Sequence, residues 1–279
     1  MPRFSLAGHI SRGLSRSQLF GRTFYGTPGK SKKLALTFDD GPNHPHTTAL
    51  LEVLARHDAR ATFFVIGRFV EQRPEIVQQI AAAGHSIGNH TQTHPFLPKL
   101  PLRKVIEELI QCEMALLTMA GLQRGVSRVV AQKDVKQVAV EEELLTNLRA
   151  LRQVTGTRLF RPPWGARTRR IVNTARACGY ETVMWSAMGF DWRKTTAQKV
   201  EHAIVRSVTG GDIILLHDGG YEHMGADRAH SVAATERLLL RYKDAGYEFV
   251  TVEEMLGIER NAPTGPDAPG ALSLDLDLD

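Results

Sequence analysis

The chain has 279 residues, 42% of them hydrophobic and 23% charged, with two cysteines and a formal net charge of +5. That balance suits one large domain with a substantial buried core and does not support a disulfide framework, and no stretch approaches the ~20 apolar residues of a transmembrane helix. The charge is uneven: seven Lys/Arg and no acid fall before residue 34, leaving the remainder close to neutral with 28 basic against 30 acidic residues.

Residues 1–33 therefore read as a basic N-terminal arm, solvated or loosely packed rather than built to grip nucleic acid or anionic lipid. The arm lacks the apolar region of a secretory signal, so a cytoplasmic location is the expectation, while its Arg-rich, Ser-rich, acid-free composition also fits a transit peptide. From residue 34 short apolar runs alternate with amphipathic stretches. Strands are predicted at 34–38, 61–66, 85–88, 158–160, 181–185, 212–216 and 247–251. A first helix is expected after a Thr47/Thr48 cap, with Leu50, Leu51 and Leu54 on one face, and a second carries Pro74 in its first turn and stops at Gly84. The same pattern predicts helices over 102–119, 140–154, 169–178, 195–208 and 231–245, the last ending before Gly246. Cys112 and Cys178 fall inside predicted helices and read as buried free thiols. Residues 261–279, rich in Pro, Gly, Ala and Asp, read as a disordered acidic tail, which leaves 34–260 as the folded domain. Seven strand–helix alternations indicate a parallel sheet, closed or nearly closed, and periodicity alone does not separate a seven-stranded barrel from a doubly wound sheet.

The chemistry concentrates at the strand ends. Asp39 and Asp40 close an apolar run and precede Gly41-Pro42. Adjacent carboxylates repel and need a cation, an arginine or a proton beside them. His90 and His94, four positions apart in H-T-Q-T-H, are suitable partners. One carboxylate and two imidazoles make a three-ligand site with an open position, the arrangement of a catalytic divalent ion, and the second carboxylate is then free to act as a base. D-D-G-P alone is more often a strand-ending turn, and a lone H-x3-H more often a surface or core pair, than a site; their joint occurrence is what points to a site. The ligand types suit Zn²⁺ best, with Mn²⁺, Co²⁺, Ni²⁺ or Fe²⁺ as alternatives. Arg161 to Gly165 (R-P-P-W-G), Asp191-Trp192 and Ile213 to Asp218 (I-I-L-L-H-D) follow in order, each after a predicted strand. In a parallel barrel those ends share one rim, where active sites are built.

The ordered set T-F-D-D-G-P, H-T-x-x-H, R-P-P-W-G, D-W and L-L-H-D resembles the five motifs of the polysaccharide deacetylase family, the nodulation-type chitooligosaccharide deacetylase homology domain, over roughly residues 34 to 255. The resemblance implies a single-domain α/β fold, the distorted (β/α)7 barrel. It implies Asp40, His90 and His94 as metal ligands and Asp39 as the base, a division that adjacency alone does not make. It further implies His217 as the acid, Arg161 as the group that tunes Asp39, and Asp191 as the group that tunes His217. The Trp164 backbone amide is the implied oxyanion contact. Trp164, Trp192 and Pro163 are candidates for contact with a sugar.

Two departures accompany the resemblance. Met188 stands where the family's fourth motif usually has a first aspartate, and the interval between His94 and Arg161 is longer than usual, which marks about 120–143 as an insertion, read as solvated structure rather than a lid. His44 and His46 follow the aspartate pair, but polar turn residues are the default there, and the remaining histidines lack ligand spacing. The expected activity is metal-dependent removal of N-acetyl groups, less readily O-acetyl groups, from an N-acetylglucosamine-containing glycan or oligosaccharide, with no nucleic-acid partner. A same-fold amidohydrolase of a small amide or ureide and a noncatalytic glycan-binding module are the alternatives. Retention of Asp39, Arg161, Asp191 and His217 argues against both. Oligomeric state is not legible in the sequence.

Overall fold

The computed structural model describes residues 20–29, 31–119 and 158–258. The helix predicted over 140–154, the insertion at about 120–143 and the tail at 261–279 lie outside the described residues. The strands are β1 (Thr23–Phe24), β2 (Lys33–Gly41), β3 (Ala61–Val65), β4 (Ser86–Asn89), β5 (Leu159–Phe160), β6 (Glu181–Val183), β7 (Ala187–Met188), β8 (Asp212–His217) and β9 (Glu248–Phe249). The helices are α1 (His46–Arg56), α2 (Gly67–Gln72), α3 (Pro74–Ala82), α4 (Leu102–Met119), α5 (Arg169–Ala177), α6 (Ala197–Val205), α7 (Ala229–Asp244) and α8 (Val252–Leu256).

All strand pairs are parallel, in the order β1-β6-β5-β4-β3-β2-β8-β7, with β9 beside the start of β2. The two ends of this curled sheet approach one another: Gly26, just after β1, bridges Asp212 at the start of β8, and the Thr27 amide donates to Gly211 O at 2.6 Å. The result is the distorted (β/α) barrel expected from the sequence. β2 and β8 are its longest strands, and both are largely apolar and buried along almost their whole length because both faces are covered, as parallel strands require.

Alternation along β2 sorts its residues between two environments. Leu34, Leu36 and Phe38 join the cluster that includes Leu50 and Leu54 of α1 and Leu238 of α7. Ala35 instead meets Phe64, Leu159, Val183, Ile213 and Val252 inside the barrel, with Met255 and Leu256 of α8 packed against them. Each fully buried Leu, Ile or Phe contributes ~1.5–3 kcal/mol, so the outward cluster supports the sheet while the inward face remains available for polar groups. Cys112 and Cys178 are buried free thiols.

Three expectations change. Residues 20–29 are not a loose arm: Thr23 and Phe24 pair with Thr182 and Val183 of β6, and the Arg167 guanidinium lies over the rings of Phe20 and Tyr25. A two-residue strand has no periodicity to detect, and the free edge of β6 supplies the reason for its pairing. α1 begins at His46 without a side-chain cap. The Thr47 hydroxyl accepts from the Asn43 amide and donates to Asp218 Oδ2, while Thr48 donates to Pro45 O. The segment predicted as one strand over 181–185 ends at Val183, and β7 follows it to lie on β8, so Asp191 follows β7 rather than the fifth predicted strand. Among the described residues no helix is long and apolar enough to cross a membrane.

Candidate active site

Successive side chains of a strand face opposite ways, so Asp39 and Asp40 in a regular strand would diverge. They do not, because the register of β2 against β3 slips between Asp39 and Gly41, and Asp40 takes a left-handed conformation (φ 72°). This bulge aims both buried carboxylates at one cavity. Gly41 follows by necessity, since a Cβ there would lie 2.2 Å from an oxygen of Asp218.

Asp39 is held from below. Arg161 Nη1 donates to Asp39 Oδ1 at 2.7 Å and to the Thr37 hydroxyl at 2.8 Å, while Nε and Nη2 donate to the Val183 and Met184 carbonyls at 3.2 and 3.1 Å. The guanidinium lies 4.0 Å above the centre of the Phe64 ring and is fully buried. Burial lowers its pKa and Asp39 works against that lowering. Desolvating both ions is costly, and the geometry repays it because each guanidinium nitrogen finds an acceptor.

The histidine pair sits on a loop with little freedom. Thr91 and His94 both have positive φ (71° and 61°), a conformation strained above all for the β-branched Thr91. Asn89 Oδ1 accepts from the Thr91 amide at 2.8 Å, the Thr91 hydroxyl accepts from the His94 amide at 3.1 Å, and the Gly67 amide donates to Thr91 O at 3.0 Å. His90 Nδ1 donates to Arg161 O at 2.7 Å, which leaves its Nε2 lone pair directed elsewhere. That nitrogen lies 3.5 Å from Asp40 Oδ1, and His94 Nε2 lies 3.3 Å from the same oxygen.

Asp40, His90 and His94 form the one group among the described residues able to hold a metal ion, with their ligand atoms within 4.8 Å of one another. The donor set fits a divalent cation. Asp40 Oδ1 is buried with no hydrogen-bond partner among the described residues, an acceptor that a cation would satisfy. Burial pushes the Asp40 pKa up, but contact with His90 and the charges of His217 and His94 outweigh it and hold the carboxyl at about 2. Burial and the neighbouring His90 push His94 down to about 3, so its imidazole is neutral and its lone pair available.

Across the cavity His217, the last residue of β8, is the register partner of Asp39. Its Nδ1 lies 2.9 Å from Asp191 Oδ1, and its backbone amide donates to Asp191 Oδ2 at 2.7 Å. The Ser231 hydroxyl donates to the same Oδ2 at 2.7 Å, and His230 Nε2 contacts Asp191 O at 2.6 Å. Burial opposes charge on His217, yet the Asp191 carboxylate, with Asp40 and Asp39 behind it, raises its pKa to about 9. Burial likewise raises Asp191, and the charge and hydrogen bonds of His217 bring it below the usual carboxylate range.

A cavity of about 510 Å³ collects Asp39, Asp40, His90, His94, His217, Trp164, Trp192 and Tyr221 in its lining. Trp164 is 53% exposed and takes a positive φ of 62°, which presents its ring at the mouth; Trp192 is 41% exposed and stands edge-on to His217 at 5.5 Å. Pro163 is buried and does not line the cavity, so its candidacy for sugar contact is replaced by support of the Trp164 turn. His44 and His46 do not line it either; His46 opens α1 and lies 3.5 Å from Asp227.

Several participants had no signal in the sequence. Tyr221 lies in a loop after L-L-H-D, and Ser231 and His230 belong to the start of α7, forty and thirty-nine positions from Asp191. Asp218, by contrast, closes the L-L-H-D motif itself, although the sequence alone assigns it no role. It is fully buried, accepts from Thr47, and is raised to about 7 by burial with Asp40 adding to the rise.

A model of the family described as polysaccharide deacetylase matches residues 26–183. The chain is 33% identical over 238 residues to a peptidoglycan-N-acetylglucosamine deacetylase of Bacillus cereus, covering 85% of this chain and 93% of the relative. It is 31% identical over 236 residues to a chitooligosaccharide deacetylase of a Bradyrhizobium species, covering 81% and 92%. Among solved structures, that of a peptidoglycan N-acetylglucosamine deacetylase in complex with 4-naphthalen-1-yl-N-oxidanyl-benzamide superposes with a TM-score of 0.69 at 28% identity, covering 86% of this chain and 94% of the other.

Proposed function

We propose that this chain, which belongs to the polysaccharide deacetylase family of metal-dependent hydrolases, removes N-acetyl groups from a glycan containing N-acetylglucosamine. One observation carries the reading: Asp39, paired behind the wall with Arg161, and His217, paired with Asp191, line a single cavity together with Asp40, His90 and His94. Hydrolysis of an unactivated amide needs an electrophile, a base for water and an acid for the departing nitrogen, and those three requirements match the three groups. The relatives named for peptidoglycan N-acetylglucosamine and for chitooligosaccharides support the choice of sugar.

Asp40, His90 and His94 would hold a divalent ion, which when bound would supply Lewis acidity to a water and to the acyl oxygen. Carboxylate and imidazole ligands suit Zn²⁺, and Mn²⁺, Co²⁺, Ni²⁺ and Fe²⁺ are chemically acceptable in the same set. Asp39, held in place by the Arg161 guanidinium at 2.7 Å, takes the proton from the attacking water. His217, kept protonated near neutral pH by Asp191, gives its proton to the leaving amine. The Trp164 backbone N–H donates to the oxyanion as it forms, and the rings of Trp164 and Trp192 form walls for the sugar.

The test is acetate release from N-acetylglucosamine oligomers and from peptidoglycan by the purified chain, before and after chelation and zinc restoration. Metal-dependent acetate release is the expected result. A zinc-loaded, folded protein that releases no acetate from either substrate overturns the reading.

A further inference from the structure

The two histidines of the metal group are oriented by different means. The second ring nitrogen of His90 is tied to the Arg161 carbonyl at 2.7 Å. The second ring nitrogen of His94, Nδ1, is buried and makes no hydrogen bond among the described residues. An imidazole without that tie keeps rotational freedom, which lowers the affinity of any site it serves. Yet the His94 ring is closely packed. Tyr221 stacks on it with centroids 4.9 Å apart and planes 19° from parallel, and Trp164 meets it edge-on at 5.0 Å. Tyr221 and Trp164 in turn meet at 4.5 Å, so the three rings form a closed set.

We propose that Tyr221 is a positioning residue for His94, holding the imidazole in its ligating orientation by stacking where His90 uses a hydrogen bond; this rests on the metal reading above. Tyr221 is suited to that work because the loop that carries it is pinned at several points. Arg68 Nη2 donates to the Tyr221 carbonyl. Arg228 Nε donates to Gly219 O at 2.7 Å. Asn43 Nδ2 donates to Asp218 O and to Ala226 O at 2.9 Å each, and its Oδ1 accepts from the Gly225 amide at 2.7 Å. A loop fastened to the β2–α1 connection and to α2 presents the ring at a fixed place. The phenol hydroxyl donates to Glu222 at 3.1 Å, so the ring face and not the hydroxyl meets His94.

The experiment is calorimetric titration of Zn²⁺ into metal-free full-length protein, comparing wild type with Tyr221→Phe and Tyr221→Leu, with melting temperatures recorded for each. Phenylalanine keeps the flat face and is expected to retain wild-type zinc affinity within about 2-fold, whereas leucine, apolar but not planar, weakens it about 3- to 10-fold. In a His94→Ala background the Tyr221→Leu change is expected to have no further effect on zinc affinity, which separates action through His94 from a general loosening of the loop. Wild-type affinity in Tyr221→Leu, equal losses in the Phe and Leu variants, or an undiminished effect of Tyr221→Leu without His94 would each overturn the inference. A wild-type protein that binds no divalent ion defeats the metal reading, and this inference with it.

Discussion

Asp191→Asn removes one charge from the His217 pair while keeping the shape of the side chain. In the native arrangement Asp191 accepts from the His217 amide and Ser231 through Oδ2 and meets His217 Nδ1 through Oδ1 at 2.9 Å. An asparagine that keeps its oxygen towards the two donors turns its NH₂ towards Nδ1, which favours the neutral imidazole. His217 then loses the first cause of its elevation from 6.5 to about 9, and burial, which lowers it, is left against the charges of Asp40 and Asp39. With an ordinary pKa near 6.5, the protonated fraction at pH 8 falls from ~0.9 to ~0.03, roughly a 30-fold loss of the acid form, whereas at pH 6 the loss is under ~2-fold. The expected result is a kcat/KM profile for acetate release whose alkaline limb moves down by about two pH units. Comparing pH values within one variant separates this from any change in the amount of folded protein. An unchanged alkaline limb, or a loss equal at pH 6 and pH 8, refutes the assignment of His217 as the acid charged by Asp191. The same coupling acts on stability. A folded-state pKa raised above the unfolded value stabilises fully below ~6.5, on the order of 3 kcal/mol, and that contribution is lost as pH rises through about 9. Urea titrations of wild type and Asp191→Asn should therefore converge above pH 9.

Replacing both His90 and His94 with alanine leaves one carboxylate of the three-donor group, so elemental analysis should find the bound zinc lost together with activity. Full occupancy in that variant would remove the metal assignment. Asp40→Asn should lose metal and turnover together, whereas Asp39→Asn should keep the metal and lose turnover; reversed metal contents would exchange the two roles. His217→Ala should depress hydrolysis of an N-acetylated sugar ~10²-fold or more and that of an aryl acetate much less, since a phenolate leaves without a proton. Equal losses on both substrates, with metal content and folding intact, would place His217 outside leaving-group protonation.

The sequence by itself determined the class of fold and the residues that meet. Apolar runs such as Leu34 to Phe38 and Ile213 to Leu216 can be satisfied only by strands buried on both faces, and their alternation with amphipathic helices leaves a parallel sheet. In such a sheet the strand ends share one rim, so Asp39, Asp40, His90, His94, Arg161, Asp191 and His217 were identifiable as neighbours before any coordinate was known. Tertiary structure decided what local pattern does not encode. β1 and β7 are two residues long, too short for periodicity, and exist because neighbouring edges pair with them. The bulge at Asp40 depends on the register of β2 against β3, and it alone turns two consecutive carboxylates towards one cavity. Ser231, His230 and Tyr221 lie at positions with no spacing rule, brought to Asp191 and His94 by the packing of α7 and the fastening of the loop before it. Residue type and order suffice to name groups that share a rim; which face each presents, and what holds it there, depends on contacts between elements far apart in the chain.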